Sequence, residues 1–555
     1  MKERITIYCK NTDSFKDFEI GTSLLEIYTA FGSPLKWPVM NARVNNKVEG
    51  LSYRCYFPKD VEFVDITDSS GMRTYVRSAC MLLSKAVYDV LPCAKLYLEH
   101  PVANGYYCKV VNGKTLDEET ILKIKSRMKE LVAMDLPFKL RMCQTTEAVK
   151  IFEERGLYDK ANLLKTSGPV YTSYQELDGH VDYYYGSLAA STGFINLFDL
   201  VPYADGLLML TPCKHNPAEL KREVNQDKMF DVFKEHLLLQ RTLGMNYVGD
   251  LNLAIQKGYT SEVVKVAEAM QEKQIARIAS EIATRYKEGV RMVLISGPSS
   301  SGKTTLCKRL EIQLLTNLLH PVSISLDDYF LNREDTPRDE DGDYDFESLY
   351  ALDIPYFNND LNRIIAGEEV ELPTFNFETG QRMYKGKKIK LKANSILVIE
   401  GIHALNPELT AMIDNSYKYK IYVSALTTIS LDSHNWIPTT DNRLIRRIVR
   451  DYRFRSYSAK DTIARWRSVR QGEEKWIFPY QENADAMFNS AMIYELAALR
   501  KYAEPILMEI LESDKEYAEA FRLLRFLRYF NYIMDSELPS TSLLREFLGG
   551  SSFEY

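Results

Sequence analysis

The 555-residue sequence lacks the features of secreted, membrane-spanning and disulfide-rich proteins. Its eight cysteines are scattered without a CxxC pair, which argues against a disulfide framework and against zinc. No apolar run reaches the roughly 18 residues that cross a bilayer. The N-terminus passes into a strand-like alternation, Ile5-Thr6-Ile7-Tyr8, without an apolar signal core. We therefore expect a cytoplasmic protein with reduced thiols.

A strong charge of either sign is also absent. The chain has 70 basic and 76 acidic side chains, a formal net charge of -6, so the molecule as a whole does not attract nucleic acid. With 45% apolar and 12% aromatic residues, and only 26 glycines and 20 prolines, the composition excludes a largely disordered chain. At roughly 100 to 200 residues per domain, the length predicts about three to five domains.

Four short apolar runs, separated by helical segments, follow Gly289. Buried parallel strands have this pattern, so we expect an α/β domain with a doubly wound parallel sheet. The runs cover residues 290–296, 322–326, 396–399 and 419–423. Further on, the sequence predicts a strongly apolar helix over residues 517–534, which either the preceding helical linker or a second subunit should cover.

The first apolar run leads into a GxxxxGK[ST] motif placed between a strand and a helix. In such a loop, backbone N–H groups point at phosphate oxygens, the lysine reaches the outer phosphates and the threonine hydroxyl coordinates Mg²⁺. The sequence therefore predicts a site for ATP and Mg²⁺, with Thr304 as a metal ligand. The predicted nucleotide-binding residues are Gly297, Pro298, Ser299, Ser300, Ser301, Gly302, Lys303, Thr304 and Thr305.

Carboxylates end the next two apolar runs. Asp327 and Asp328 follow the second run, and Glu400 ends the third, at the sheet edge where α/β folds bind ligands. Asp327 can accept a proton from an attacking hydroxyl, and Glu400 can hold Mg²⁺ through water. Because the base-reading NKxD motif of a GTPase is absent, the pattern favours a kinase.

Six arginines at helical spacing lie between residues 443 and 455. They form one cationic helix face, for which a solvated surface or a nucleic-acid patch is the simplest explanation. Beside a phosphate loop, the pattern favours a lid that closes over the transferred phosphoryl group and neutralises its charge. These residues are Arg443, Arg446, Arg447, Arg450, Arg453 and Arg455.

Together these four motifs resemble the uridine kinase and phosphoribulokinase family of P-loop kinases, over residues 290–500. The resemblance implies transfer of the γ-phosphoryl group of ATP to the 5'-hydroxyl of a nucleoside. It implies Asp327 as the general base, with Lys303, Arg447, Arg450 and Arg455 completing the catalytic set. The substrate-binding residues it implies are Asp327, Tyr329, Phe330, Glu347, Phe375, Phe377, Arg382 and Arg447.

The stretch that holds the pyrimidine in uridine kinases departs from the family pattern. Phe375 stands where those kinases have a tyrosine, and Gly380 stands where they have a histidine. Without that hydrogen-bonding histidine, base specificity stays open, and a purine nucleoside or a non-nucleoside hydroxyl compound is an alternative acceptor.

The front of the chain resembles a different family. Residues 1–66 resemble the β-grasp TGS module, and residues 67–212 resemble the second additional (editing) domain of threonyl-tRNA synthetases. The metal-like cluster of that domain is replaced here by Arg77, Met81, Tyr184 and Leu188, which cannot supply a soft nitrogen and sulfur site. We therefore expect neither a metal nor aminoacyl-tRNA hydrolysis in this half. A translation-linked regulatory protein that binds ATP and tRNA is the alternative function.

This interpretation divides the chain into five parts. They are a TGS-like module (1–66), an editing-like α+β domain (67–212), a helical linker (213–288), a P-loop kinase domain (289–510) and a helical tail (511–555). The expected partner is a small-molecule hydroxyl acceptor, with no membrane. By analogy with related kinases, we also expect a homo-oligomer.

Overall fold

The computed structural model describes residues 3–111, 116–339, 342–376 and 379–554. Its first 65 residues form a five-stranded sheet in the order β2-β1-β7-β4-β5, in which only β1 and β7 are parallel. Ser23 and Glu26 form a capping box at the start of α1, each accepting from the backbone N–H of the other. The elements are β1 (Arg4–Cys9), β2 (Ser14–Glu19), β3 (Thr22–Ser23), α1 (Leu24–Ala30), β4 (Val39–Val44), β5 (Lys47–Glu49), β6 (Arg54–Cys55) and β7 (Lys59–Asp65).

The second region packs two antiparallel sheets around a long buried helix, α2. The sheets have the orders β13-β14-β9-β8 and β10-β11-β12. The elements are α2 (Ser69–Val90), β8 (Lys95–Val102), β9 (Gly105–Val111), α3 (Glu118–Ala133), β10 (Lys139–Gln144), α4 (Thr145–Glu154), α5 (Tyr158–Ser167), β11 (Tyr171–Leu177), β12 (His180–Asp182), β13 (Asp199–Tyr203) and β14 (Gly206–Leu210). Three helices then connect this region to the rest: α6 (Asp227–Leu243), α7 (Val248–Gln256) and α8 (Thr260–Lys287).

The C-terminal half contains a five-stranded, all-parallel sheet in the order β16-β19-β15-β20-β21. Separate apolar clusters cover its two faces, which confirms the predicted doubly wound architecture. The elements are β15 (Met292–Ser296), α9 (Lys303–Thr316), β16 (His320–Ser325), α10 (Ile354–Ile365), β17 (Val370–Asn376), β18 (Gln381–Ile389), β19 (Ser395–Glu400), β20 (Lys418–Ser424), α11 (Thr439–Phe454), α12 (Ala459–Trp476), β21 (Ala486–Asn489) and α13 (Glu495–Met508).

The four strands predicted from apolar runs are confirmed as β15, β16, β19 and β20. Two features were not predicted. The edge strand β21 has only four residues, too few to show a strand period. The hairpin of β17 and β18 was not predicted, because β18 is mostly solvent-exposed and lysine-rich and therefore has no apolar run.

The apolar helix predicted over residues 517–534 is shorter in the structure. It corresponds to α14 (Tyr517–Leu527), which ends seven residues before the predicted end. The side chain of Asn252 binds the backbone beyond it, donating to the Tyr529 carbonyl (2.7 Å) and accepting from the Asn531 N–H (2.8 Å). These contacts take backbone groups that a continuing helix would use. The apolar face of α14 packs against α13, and the chain continues to α15 (Arg545–Leu548).

Among the described residues, no helix combines the length and the apolar character needed to cross a membrane.

Candidate active site

The phosphate loop joins β15 to α9 and has backbone conformations that few residues other than glycine adopt. A Cβ atom on Gly297 would lie 2.2 Å from the Val423 carbonyl oxygen, so this position excludes any side chain. Gly302 has a φ of 84° and Ser300 a φ of 58°, both in the left-handed region. The predicted nucleotide-binding residues are therefore the loop 297–302 and the first three residues of α9, whose N–H groups are natural anion donors.

Lys303 is folded back onto this loop. Its Nζ donates to the carbonyl oxygens of Gly297 (2.9 Å) and Pro298 (3.3 Å). Burial lowers the pKa of Lys303, against the raising effect of the negative charges of Glu400 and Asp327. The ammonium group thus lies between the loop and two carboxylates, the place from which it can reach a bound phosphate.

Two of the six arginines of the 443–455 segment are buried and structural. The Arg443 guanidinium pairs with Glu473 (Nη1 to Oε2, 3.1 Å) and donates to the Ser299 carbonyl (Nε to O, 2.9 Å). Arg446 pairs with Glu495 (Nη2 to Oε2, 2.6 Å), and none of these four charged side chains is more than 2% exposed. These two arginines therefore fix α11 against the phosphate loop and are not free to meet a substrate.

The three arginines predicted to stabilise the transferred group share one carboxylate. Asp451, which is almost fully buried, lies 3.2 Å from Arg447 Nε, 2.9 Å from Arg450 Nη2 and 3.8 Å from Arg455 Nη1. Arg447 Nη1 also donates to the Ser299 hydroxyl in the phosphate loop (3.0 Å). Asp451 was not predicted as a functional residue, although it is part of the motif that contains these arginines. It gathers them on the side of α11 that faces the loop.

Asp327 and Glu400 lie close together at the carboxyl edge of the sheet. Burial raises the pKa of Asp327, against the lowering effect of the positive charges of Lys303, Arg455 and Arg450. Burial and the nearby Asp327 charge raise the pKa of Glu400 to about 7. A carboxylate with a raised pKa is a better proton acceptor, so Asp327 is suited to general-base catalysis.

The oxygen donors at this edge fit Mg²⁺, which takes one or two carboxylates together with substrate phosphates. Thr304 is the second residue of α9, and Glu400 is the last residue of β19, at the edge of the sheet where the phosphate loop lies. Within the described ranges, no three His, Cys, Asp or Glu side chains cluster closely enough to hold a metal ion. An ion held by Thr304 and Glu400 would therefore depend on the phosphate oxygens for the rest of its ligands.

Glu347 is a half-buried carboxyl beside the Arg447 guanidinium. Burial raises the pKa of Glu347 to about 7, against the lowering effect of the Arg447 charge. Glu347 packs against Gly472, where a Cβ atom would lie 2.3 Å from the Glu347 Cβ. Its Oε2 atom is buried without a hydrogen-bond partner among the described residues, so it has capacity for a ligand hydroxyl.

Sequence reasoning missed His403, which is 1% exposed. Its two ring nitrogens are buried without a well-formed hydrogen bond in the described part of the chain, although backbone groups of Ser348 and Glu347 lie beside the ring. Burial lowers the pKa of His403 to about 4, so the ring is neutral at pH 7. The sequence feature that could have identified His403 is its position three residues after Glu400, at the same edge of the sheet.

Three of the predicted substrate residues lie in the apolar core beside the site. Tyr329 is 1% exposed and its hydroxyl donates to Asp360 Oδ2 (3.2 Å). The Phe330 and Phe375 rings pack against each other, with centroids 5.6 Å apart. Phe377, also predicted to bind substrate, lies outside the described residues. These positions support the turn that carries Asp327.

Arg382, the next predicted substrate residue, is bound to the same turn. Its Nη1 pairs with Asp353 Oδ2 (3.0 Å), and its Nη2 donates to the carbonyl oxygens of Tyr329 (3.3 Å) and Phe330 (3.1 Å). Its guanidinium also lies over the Tyr356 ring, 4.9 Å from the centroid. The structure thus brings Asp327, Glu347 and Arg447 together with the phosphate loop. Arg382 instead stabilises the neighbouring turn through the Tyr329 and Phe330 carbonyl groups.

The part of the chain that contains this site also matches a known protein family. Residues 292–496 match the phosphoribulokinase and uridine kinase family. This kinase-family region contains every predicted catalytic residue.

The front part of the chain matches threonine–tRNA ligases. The ligase from Methylococcus capsulatus is 27% identical over 193 residues, 34% of this chain and 30% of the ligase. The ligase from Carboxydothermus hydrogenoformans is 26% identical over 190 residues, which again cover 34% of this chain and 30% of the ligase. The chain therefore spans about 30% of the length of these curated relatives.

Solved kinase structures share a weak likeness with the chain. A possible uridine kinase from Bacillus stearothermophilus is 20% identical, with a TM-score of 0.25, and covers 36% of this chain and 89% of its own. D-glycerate 3-kinase from Cryptococcus neoformans is 14% identical, with a TM-score of 0.22, and covers 51% of this chain and 90% of its own. Likenesses this weak do not bear on the acceptor of the kinase-family region.

In the front half, the four positions that replace the metal-like cluster are filled by packing side chains and one arginine. Met81, Tyr184 and Leu188 belong to a single buried apolar cluster. Arg77 Nε donates to the Ser187 carbonyl oxygen (3.1 Å). These positions are thus part of the packed interior of the domain, where Arg77 supplies a cation in place of a neutral nitrogen donor.

The raised pKa of Glu347 gives a testable pH dependence. In the folded protein this carboxyl keeps its proton up to about pH 7, whereas its ordinary pKa is 4.5. Between these values the folded state binds more protons than the unfolded state, so the free energy of unfolding falls as pH rises. We expect Glu347→Gln to make this fall shallower between pH 5 and pH 7, by up to about 1.4 kcal/mol per pH unit.

Urea denaturation at several pH values measures this dependence. The matched control is Glu334→Gln, on an exposed turn, which should leave the pH dependence of the wild type unchanged. Equal slopes for wild type and Glu347→Gln would show that Glu347 ionises at its ordinary pKa.

Proposed function

We propose that the protein transfers the γ-phosphoryl group of ATP to the primary hydroxyl of a nucleoside or a similar ribose-bearing compound, with Mg²⁺. The observation that carries this proposal is the convergence of Lys303, Asp327 and Glu400 at one sheet edge. β16 and β19 pair side by side with Asp327 and Glu400 at their ends, and Lys303 lies on the phosphate loop beside them. The family match of residues 292–496 supports the same reaction class.

Each side chain has a distinct task in this reaction. The loop N–H groups and Lys303 hold the phosphates, and Thr304 and Glu400 would hold Mg²⁺, which neutralises phosphate charge when bound. Asp327 takes the proton of the acceptor hydroxyl while the acceptor oxygen bonds to the γ-phosphorus. The bond from that phosphorus to the bridging oxygen breaks at the same time, and ADP leaves with its electron pair.

The arginines gathered by Asp451 complete the site. Arg447, Arg450 and Arg455 present cationic donors beside the loop, where negative charge spreads over the transferred group. Glu347 lies beside Arg447, and its Oε2 has no hydrogen-bond partner among the described residues, which supports a role in accepting a hydrogen bond from an acceptor hydroxyl.

The test is a screen for acceptor-stimulated release of ADP. Purified protein with ATP and Mg²⁺ is given nucleosides, sugar phosphates and pantothenate in turn, and mass spectrometry identifies any phosphorylated product. We expect one class of acceptor to stimulate ADP release, and Lys303→Met to abolish the stimulated rate. ADP release that no acceptor stimulates, equal in wild type and Lys303→Met, would contradict the proposal.

The likeness of 34% of the chain to threonine–tRNA ligases favours tRNA binding as a second candidate function. The net charge of -6 argues against it. A gel shift with total tRNA at about 150 mM salt separates the two, because non-specific binding weakens steeply with salt. A retained complex would support a translation-linked role, and free tRNA beside acceptor-stimulated ADP release would support the kinase alone.

A further inference from the structure

The C-terminal segment around α15 lies directly against the phosphate loop. A Cβ atom on Gly302 would lie 2.7 Å from a methyl carbon of Leu543, so the two positions are in close contact. The Arg446 guanidinium carbon lies over the Phe547 ring, 5.0 Å from the ring centroid. Leu543, Leu544, Phe547 and Leu548 are each 3% exposed or less, so the segment is part of the core.

One carboxylate of this segment reaches the phosphate donors. Glu546 Oε2 accepts hydrogen bonds from the Thr305 hydroxyl (2.6 Å) and the Thr305 backbone N–H (3.2 Å). Thr305 is the third residue of α9, and the N–H groups of a first helical turn have no partner within the helix. In a phosphate loop these are the groups that bind nucleotide phosphates. The Glu546 carboxylate therefore holds donors that a phosphate oxygen would need.

The charge of Glu546 also reaches the rest of the site. It adds to burial and to the Asp327 charge in raising the pKa of Glu400, and it opposes the effect of burial on the pKa of Lys303. Two anions at one helix end repel each other, most strongly where water is excluded. A nucleotide phosphate at Thr305 would thus have to displace the Glu546 carboxylate.

We propose that Glu546 is an internal competitor of the nucleotide, and that the kinase-family region binds ATP only when this side chain leaves Thr305. The movement involves the Glu546 side chain alone, because the buried leucines and Phe547 on either side keep the segment docked. This regulation rests on the proposed function, since it concerns the same phosphate site.

The test compares Glu546→Gln with wild type in the full chain. Glutamine keeps the size of the side chain and can accept from Thr305, but it carries no charge, so its bonds are weaker and it does not repel phosphate. We expect Glu546→Gln to bind a non-hydrolysable ATP analogue at least about tenfold more tightly by isothermal titration calorimetry. Inorganic tripolyphosphate should show the same direction of change, because the competition concerns phosphate and not the base.

The matched control is Glu537→Gln, which removes the same charge from the same tail. Glu537 precedes the contact with the loop, in the turn Asp535–Glu537, and its variant should bind the analogue as wild type does. Equal affinity of Glu546→Gln and wild type would overturn the inference, and so would equal tightening in both variants, which would mark a general effect of charge.

These binding measurements need no acceptor, so they separate the inference from the proposed function. Tighter binding by Glu546→Gln supports the competition even if the acceptor screen finds no substrate. Acceptor-stimulated ADP release with unchanged binding in Glu546→Gln would retain the kinase and remove the competitor.

Discussion

Replacing Asp327 with asparagine should lower turnover by about 10² or more while leaving ATP affinity unchanged. Asparagine preserves the shape of the side chain but cannot take the proton of the acceptor hydroxyl. The predicted nucleotide contacts lie instead in the loop 297–302 and in residues 303–305, which this change leaves intact. Steady-state rates, with the affinity for an ATP analogue measured separately, give the two quantities.

Asp328→Asn is the matched control for this prediction. The Asp328 carboxylate accepts from the Phe375 backbone N–H (3.2 Å), and asparagine can accept the same bond. We expect this variant to keep most of the turnover. Phosphorylation by Asp327→Asn at the wild-type rate would remove Asp327 from the role of general base.

Replacing Lys160 with methionine should lower the free energy of unfolding by about 3–5 kcal/mol, the largest stability effect that we predict. Lys160 Nζ lies 2.9 Å from Asp182 Oδ1 and 2.8 Å from Asp432 Oδ1, and these three side chains are at most 1% exposed. Burial opposes the charged form, yet the carboxylates of Asp182, Asp432 and Asp159 keep the pKa of Lys160 above its ordinary value. Without the ammonium group, both buried carboxylates lose the cation that they share, although Asp182 Oδ2 keeps its contact with His434 Nδ1 (2.6 Å).

Lys165→Met on the same helix, α5, is the control. Lys165 pairs with Glu153 at 2.5 Å, but the two side chains are 46% and 37% exposed. Water screens such a pair, so its loss should cost about 1 kcal/mol or less. Chemical denaturation of both variants measures the difference, and equal losses would show that burial does not strengthen the Lys160 contacts.

The parts of the site that were predictable from sequence are those carried by contiguous motifs. The GxxxxGK[ST] loop has its function in adjacent backbone groups, and β15, β16, β19 and β20 are buried on both faces and therefore read as apolar runs. The parts of the site that were not predicted depend on residues that lie far apart in the sequence. Glu546 is 241 positions from Thr305, and no local pattern relates the two. His403 was missed because only its packing shows that its ring nitrogens are buried without a well-formed hydrogen bond to the residues that the structure describes.

The length of α14 was mispredicted for a similar reason. Apolar residues continue past Leu527, so the sequence pattern continues the helix. The side chain that ends it, Asn252, lies 277 positions away from Tyr529 in the chain. Tertiary contacts of this kind override local helix preference.

The cluster of Lys160, Asp182 and Asp432 has a consequence for how such a chain evolves. Asp432 lies in the segment between β20 and α11, and its cation comes from α5, in the part that resembles a synthetase. The Tyr183 and Tyr529 hydroxyls also meet at 2.5 Å, and one apolar core runs from Ala148 to Leu548. A recombination event that separated the two halves would leave a buried carboxylate without its cation. We therefore expect the two halves of the chain to be inherited together, unlike exchangeable modules that are joined by linkers.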